Sequence, residues 1–191
     1  MSSSTPIVPS SASSSAALRY ARLGWPVVPG AIWHRGHFAD PADERQVVSP
    51  LLVPVERATT RVEEVRALWS VPGLHLPNVL TVTGSRLGAF MVFDSLAEAI
   101  ARHPAFAARR TPVLAVQGMP FAYFLVRPPV PSVLLSGQAR VLDAGTPVPL
   151  PPSALGETAV MWLITPDEAG NALMSADELA DLIGTLEGVS A

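Results

Sequence analysis

Apolar positions along the chain follow two spacings, one typical of amphipathic helices and one typical of buried strands. The helical spacing predicts four helices, at residues 16–23, 60–69, 95–101 and 175–183. The strand spacing predicts eight strands, at residues 25–28, 78–82, 89–93, 112–116, 121–126, 139–142, 147–150 and 160–164. This order of elements predicts an α+β domain with a mixed β-sheet flanked by helices.

Local signals set several of the predicted boundaries. The first helix starts near Ser13 or Ser14 and ends at Gly24, a residue that suits the C′ position. Thr60 is the predicted N-cap of the second helix. Residues 29–57 carry no clear period, so this stretch is predicted to be irregular.

The chain divides into two parts by composition. Residues 1–14 are rich in Ser and Pro, which predicts a flexible segment, and residues 15–188 form one predicted domain. Pro, Gly or Arg interrupts every apolar run before it reaches the length of a membrane span. The first fifteen residues lack the pattern of a secretory signal. We therefore expect a cytoplasmic protein without a membrane partner.

The charge of the chain limits its affinity for nucleic acid. All 13 basic residues are Arg, and the net charge is −3. Binding to DNA phosphates would therefore need a local group of Arg side chains. The chain contains no Cys, which excludes disulfides and thiolate metal sites.

One loop is rich in metal-ligating residue types. His34, His37, Asp40, Asp43 and Glu44 lie close together in sequence, and such side chains bind Zn²⁺ or another transition metal. Their spacing matches no specific metal motif, so a solvated loop is the interpretation that we favour.

Arginines are the second candidate group. If they converged on one face they would bind phosphate through bidentate hydrogen bonds, whereas scattered surface arginines would not. The residues concerned are Arg19, Arg22, Arg86, Arg109, Arg110, Arg127 and Arg140. The four Trp residues are interpreted as core and rim packing rather than as base-stacking surfaces.

Four segments resemble the N-terminal domain of bifunctional DNA primase/polymerases (prim-pol), and they occur in the family's order. They are residues 17–30 with Gly-Trp-Pro-Val, Trp69 with residues 77–84, residues 91–94, and residues 151–153 with 161–163. The likeness spans roughly residues 16–165 and is greatest to short actinobacterial members. It implies an archaeo-eukaryotic primase core, related in topology to the RNA-recognition motif.

The resemblance also implies nucleotide polymerisation by Mg²⁺ or Mn²⁺, which paired carboxylates on one strand hold against a triphosphate. Asp94 occupies the first carboxylate position, but Leu96 stands where the second is expected. The family's triphosphate-binding His is replaced by Phe121 or Ala122, and Asp143 is a candidate for a later carboxylate. A lone carboxylate at Asp94 would hold one ion weakly, and helix capping is its structural alternative.

Candidate nucleotide contacts are Asn78, Thr83, Gly84 and Arg86, and their structural alternative is strand-start and turn geometry. The resulting hypothesis is a catalytically degenerate prim-pol-like domain, an accessory or regulatory module associated with DNA or a nucleotide, for which no cofactor is predicted. One alternative is an active primase/polymerase that uses Asp94 and Asp143 with Mg²⁺ or Mn²⁺. The other is a protein-interaction scaffold or homodimer that uses residues 126–135.

Overall fold

The computed structural model describes residues 12–70, 72–130 and 137–189. These residues form helices and antiparallel sheets joined by loops. The five helices are α1 (Ala12–Arg22), α2 (Val62–Leu68), α3 (Asp94–Arg102), α4 (Pro104–Ala108) and α5 (Ala176–Val189). The strands are β1 (Val27–Gly30), β2 (Ile32–His34), β3 (His37–Ala39), β4 (Asn78–Val82), β5 (Gly88–Phe93), β6 (Val113–Val116), β7 (Phe121–Val126), β8 (Ala139–Val141), β9 (Pro147–Leu150), β10 (Ala154–Leu155) and β11 (Thr158–Ile164). The α+β prediction is confirmed.

The main sheet has six strands in the order β10-β11-β6-β7-β5-β8. Every neighbouring pair in it is antiparallel, which corrects the expected mixed sheet. A short turn joins β6 to β7 and another joins β10 to β11, and turns of that length connect only antiparallel neighbours. One face of this sheet packs on α3, α4 and α5, where Phe90, Ile100, Phe124 and Ile183 are fully buried.

A three-stranded sheet, β1-β4-β9, packs with α1 and α2 on part of the opposite face. The centre of this layer is aromatic: Tyr20 stacks on Trp25 with 5.6 Å between ring centroids. The Tyr20 hydroxyl donates to the Pro151 carbonyl at 2.6 Å and accepts from the Trp162 indole at 3.2 Å. Burial raises the pKa of Tyr20. These contacts fix α1 against this side of the sheet.

The structure changes three local predictions. The stretch 29–57 contains the hairpin β2–β3, whose two-residue turn has positive φ at Arg35 (49°) and Gly36 (87°), as a type I′ turn requires. Thr60 is not the N-cap of α2: Arg61 holds that position without a side-chain capping bond, and the Thr59 hydroxyl accepts from the Arg61 N–H at 3.1 Å. Helix α4 was not predicted, and Pro104 at its first position marks the start.

The structure tests the predictions near the N-terminus only in part. Of the predicted flexible segment 1–14, residues 1–11 lie outside the described residues, and residues 12–14 form the first turn of α1. Gly24 follows α1 with φ of 84°, as its predicted C′ role requires. Among the described residues, no helix is both long enough and apolar enough to cross a membrane.

Candidate functional site

The six-stranded sheet leaves one part of its second face open, at the end of β5. Side chains alternate along a strand, and Phe90 and Val92 point into the core beneath the helices. Met91 and Phe93 therefore lie on the opposite face, where Met91 is half-buried and Phe93 is 36% exposed. This area lies beside Asp94, the position of the first metal carboxylate that the resemblance implies.

Aromatic side chains occupy this open area. Phe93 lies directly across from Phe121 on β7, with ring centroids 6.3 Å apart. Phe121 in turn contacts Tyr123 edge-to-face at 5.4 Å, and burial raises the pKa of Tyr123. We call Phe93, Phe121 and Tyr123 the aromatic platform. Arg140 on β8 lies across from Met91 on the same face, is exposed, and forms no ion pair with any residue that the structure describes.

The predicted metal ligand Asp94 does not belong to the platform. It is the first residue of α3, its side chain is exposed, and its backbone N–H donates to the Pro120 carbonyl at 3.1 Å. Leu96, at the position of the missing second carboxylate, is 4% exposed and packs in the core beneath the helices. The position of the second carboxylate is therefore a buried leucine, which cannot ligate a metal beside Asp94.

Asp143 lies at the far end of β5 from Asp94. The N–H of Leu142 donates to the carbonyl of Ala89 at 3.0 Å, and the Asp143 carbonyl accepts from the Thr83 hydroxyl at 2.5 Å. Asp94 is five residues beyond Ala89, which corresponds to about 16 Å along a strand. The structure therefore does not bring the two predicted catalytic carboxylates together.

Asn78 and Thr83 use their polar atoms inside the fold. The Asn78 amide donates to the carbonyls of Ala31 at 2.8 Å and Ala154 at 2.9 Å, and its Oδ1 accepts from the Ala154 N–H at 3.0 Å. The Thr83 hydroxyl is buried and bonded to the Asp143 carbonyl. Both side chains join separate segments of backbone.

Gly84 and Arg86 lie at an open groove of ≈ 430 Å³ between the β4–β5 turn and residues 55–61. Arg86 is exposed. The groove also contains Arg61, which pairs with Glu64 at 3.2 Å, and Glu56. Asn78 lies at the opposite end of β4, so the four candidate nucleotide contacts do not form one site.

Three of the candidate arginines lie at one groove. Arg109, Arg110 and Arg127 line a second groove, of ≈ 620 Å³, together with Glu168 and Glu178. Arg109 forms an ion pair with Glu178. Hydrogen bonds from the N–H and hydroxyl of Thr165 lower the pKa of Glu168, with a smaller effect of Arg110. The two carboxylates neutralise much of the positive charge in this groove.

Two histidines and a glutamate meet beside the hairpin β2–β3. Glu44 Oε1 lies 2.8 Å from His75 Nε2, and Glu44 Oε2 lies 3.6 Å from His34 Nε2. One ligand atom from each of the three residues lies within 4.8 Å of the others. The hydrogen bond from His75 is the main cause that lowers the pKa of Glu44. We call His34, Glu44 and His75 the histidine cluster.

The sequence analysis identified two members of this cluster and missed the third. His75 is 31 residues from Glu44 in sequence, so no local spacing indicates the contact. The other loop residues that were considered do not take part in the cluster. His37 pairs with His34 across the hairpin, and Asp40 and Asp43 accept hydrogen bonds from backbone N–H groups of their own loop.

Comparisons with known proteins identify no relative: no protein-family model, no curated protein and no solved structure matches the chain. Function must therefore be inferred from the platform, the two grooves and the histidine cluster themselves.

Proposed function

We propose that this chain is a catalytically inactive prim-pol-like domain that binds single-stranded nucleic acid on the aromatic platform, as an accessory or regulatory module. The observation that carries the proposal is the pair Phe93 and Phe121. These two residues lie opposite each other on neighbouring strands, with their rings edge-to-face. The resemblance implies a triphosphate-binding His at Phe121 or Ala122 and a metal carboxylate at Asp94, directly after Phe93.

The order of strands supports the resemblance. Four strands lie in the order β6-β7-β5-β8, and the chain runs from β5 through α3 and α4 to β6 and then directly to β7. An RNA-recognition motif has the same β-α-β-β start, the same strand order and antiparallel neighbours, and its sheet aromatics stack on bases. In place of that motif's second helix, α5 packs beside α3 through residues such as Leu179 and Ile183.

The side chains on the open face suit stacking and not phosphoryl transfer. Metal-assisted transfer needs anionic ligands that hold two divalent ions near the reacting phosphates. Met91, Phe93 and Phe121 offer no such ligand, and Asp94 lies outside the face. An aromatic ring presents a surface to any base, and stacking on one contributes about 1–3 kcal/mol per base. Arg140 supplies one positive charge for the phosphate backbone of the bound nucleic acid.

A binding experiment tests the proposal. Fluorescence anisotropy with a labelled single-stranded oligonucleotide should show saturable binding that weakens as salt increases. Phe121→Ala should weaken it by about 5- to 150-fold, the equivalent of one lost stack. Met161→Ala is a matched control, because Met161 is 41% exposed on the opposite face of the same sheet. Equal losses in both variants, or no binding by the unaltered chain, would exclude the platform.

A primer-synthesis assay tests the inactive part of the proposal. We expect no dinucleotide product with Mg²⁺ or Mn²⁺, because one exposed carboxylate cannot position two ions. Product that disappears in Asp94→Ala would contradict this and would favour the active primase/polymerase alternative.

A protein-interaction scaffold is the second candidate function. Phe93 is 36% exposed and Met119, two residues before Phe121, is 47% exposed, so the platform edge offers apolar area to a protein partner. Of the previously considered surface 126–135, Val126 is fully buried and residues 131–135 lie outside the described residues. Light scattering that shows a dimer, together with no oligonucleotide binding, would favour this function.

A further inference from the structure

We propose that the histidine cluster, His34, Glu44 and His75, binds a divalent transition-metal ion of the zinc class. The proposal is independent of the nucleic-acid function. It starts from three side chains of ligating type that the fold brings together from separate segments.

The distances suit such an ion. Bonds of 2.0–2.1 Å in tetrahedral geometry place ligand atoms about 3.3 Å apart. The Glu44 oxygens lie 2.8 Å from His75 Nε2 and 3.6 Å from His34 Nε2, on either side of that value. All three ligand atoms lie within 4.8 Å of one another, so side-chain rotation alone can complete the site.

The donor set is also that of known sites. Two imidazole nitrogens with one carboxylate bind Zn²⁺ in metal enzymes and bind other first-row ions, while three protein ligands leave a position for water. His34 Nε2 is buried and has no hydrogen-bond partner among the residues that the structure describes. A buried polar atom without a partner is unfavourable, and coordination of a metal by this nitrogen would satisfy it.

Backbone contacts hold the three ligands in place. His34 ends β2 and is fixed by its pairing in the hairpin. Glu44 adopts φ of 60° and its N–H donates to the Asp40 carbonyl at 2.8 Å, which turns its side chain back toward the hairpin. The N–H of His75 donates to the Pro41 carbonyl at 2.9 Å. Bound metal would thus fasten residues 72–77 to the hairpin.

The competing explanation is a hydrogen-bonded cluster without metal, since the His75–Glu44 bond already satisfies two of the side chains. The two explanations differ in their response to added ions. A chelator-treated full chain should bind one equivalent of Co²⁺ with the intense visible bands of a low-symmetry site, and Zn²⁺ should displace it.

Substitutions assign the ligands. His34→Ala, Glu44→Gln and His75→Ala should each weaken Zn²⁺ binding by more than about 100-fold, since loss of an outer-shell partner alone typically costs 10- to 100-fold. His37→Ala is the matched control, because His37 lies in the same hairpin with its ring centroid 6.5 Å from that of His34. It should bind as the unaltered chain does.

Three results would overturn the proposal: no saturable binding, binding that survives in all three ligand variants, or an equal loss in His37→Ala. Folding is checked by a measurement that needs no metal. The exposed His75 variant should keep the circular dichroism spectrum of the unaltered chain. Zn²⁺ should raise the Tm of the unaltered chain but not of this variant.

Discussion

The substitution Asn78→Ala tests whether the Asn78 side chain stabilises the fold or binds a ligand. The side chain is 7% exposed, and its amide makes three hydrogen bonds, to the Ala31 carbonyl and to both backbone groups of Ala154. Each such bond contributes about 1 kcal/mol net, and the part-buried Ala154 N–H would lose its partner. The substitution should therefore reduce the free energy of unfolding by about 3 kcal/mol.

Urea denaturation measures this loss. With an m-value of about 2 kcal/mol/M, the midpoint should fall by roughly 1.5 M. Arg86→Ala is the control, because Arg86 is exposed beyond the other end of β4, and its midpoint should change by less than about 0.3 M. Nucleotide or oligonucleotide affinity, measured where both variants are folded, should be unaltered by Asn78→Ala. A stable Asn78→Ala variant with impaired ligand binding would refute the structural role.

Three further predictions concern packing, pH and the aromatic centre. Gly88→Ala should destabilise the fold by about 1–3 kcal/mol in urea denaturation, because a methyl group there would meet two valine side chains. Hydrogen bonds from the N–H and hydroxyl of Ser175 hold the pKa of Glu178 below its usual 4.5, so its stabilising effect is complete above that pH and is lost as the pH falls through the lower folded value. Glu178→Gln should accordingly flatten the acid side of a stability–pH curve. Tyr20→Phe should lower the unfolding free energy by about 1–3 kcal/mol, measured by the same denaturation, because a part-buried indole and a carbonyl lose their partner.

The sequence predicts long, regular elements better than short ones. Strands β4, β7 and β9 match their predicted bounds because each alternates or stays apolar between clear turns. Hairpin β2–β3 was missed because three-residue strands carry too little pattern, although Arg35-Gly36 was a usable turn signal.

The candidate sites were harder to predict from the sequence, for a different reason. The predicted strand 89–93 ends at the same residue as β5, and α3 starts at Asp94. The resemblance, not the strand pattern, assigned a metal carboxylate to Asp94. The pairing of Phe93 with Phe121 depends on the register of β5 and β7, which local pattern does not fix. The contact between His75 and Glu44 depends on tertiary packing and had no local signal.

The short strands at the margins of the six-stranded sheet restrict how this chain can self-associate. β10 has two residues and β8 has three, so few unpaired N–H and C=O groups are available to another chain. In the second sheet, Pro147 and Pro149 on β9 lack the N–H that an added strand would need. Growth by strand addition is therefore disfavoured, and two copies that do associate would meet through a sheet face or a helix surface.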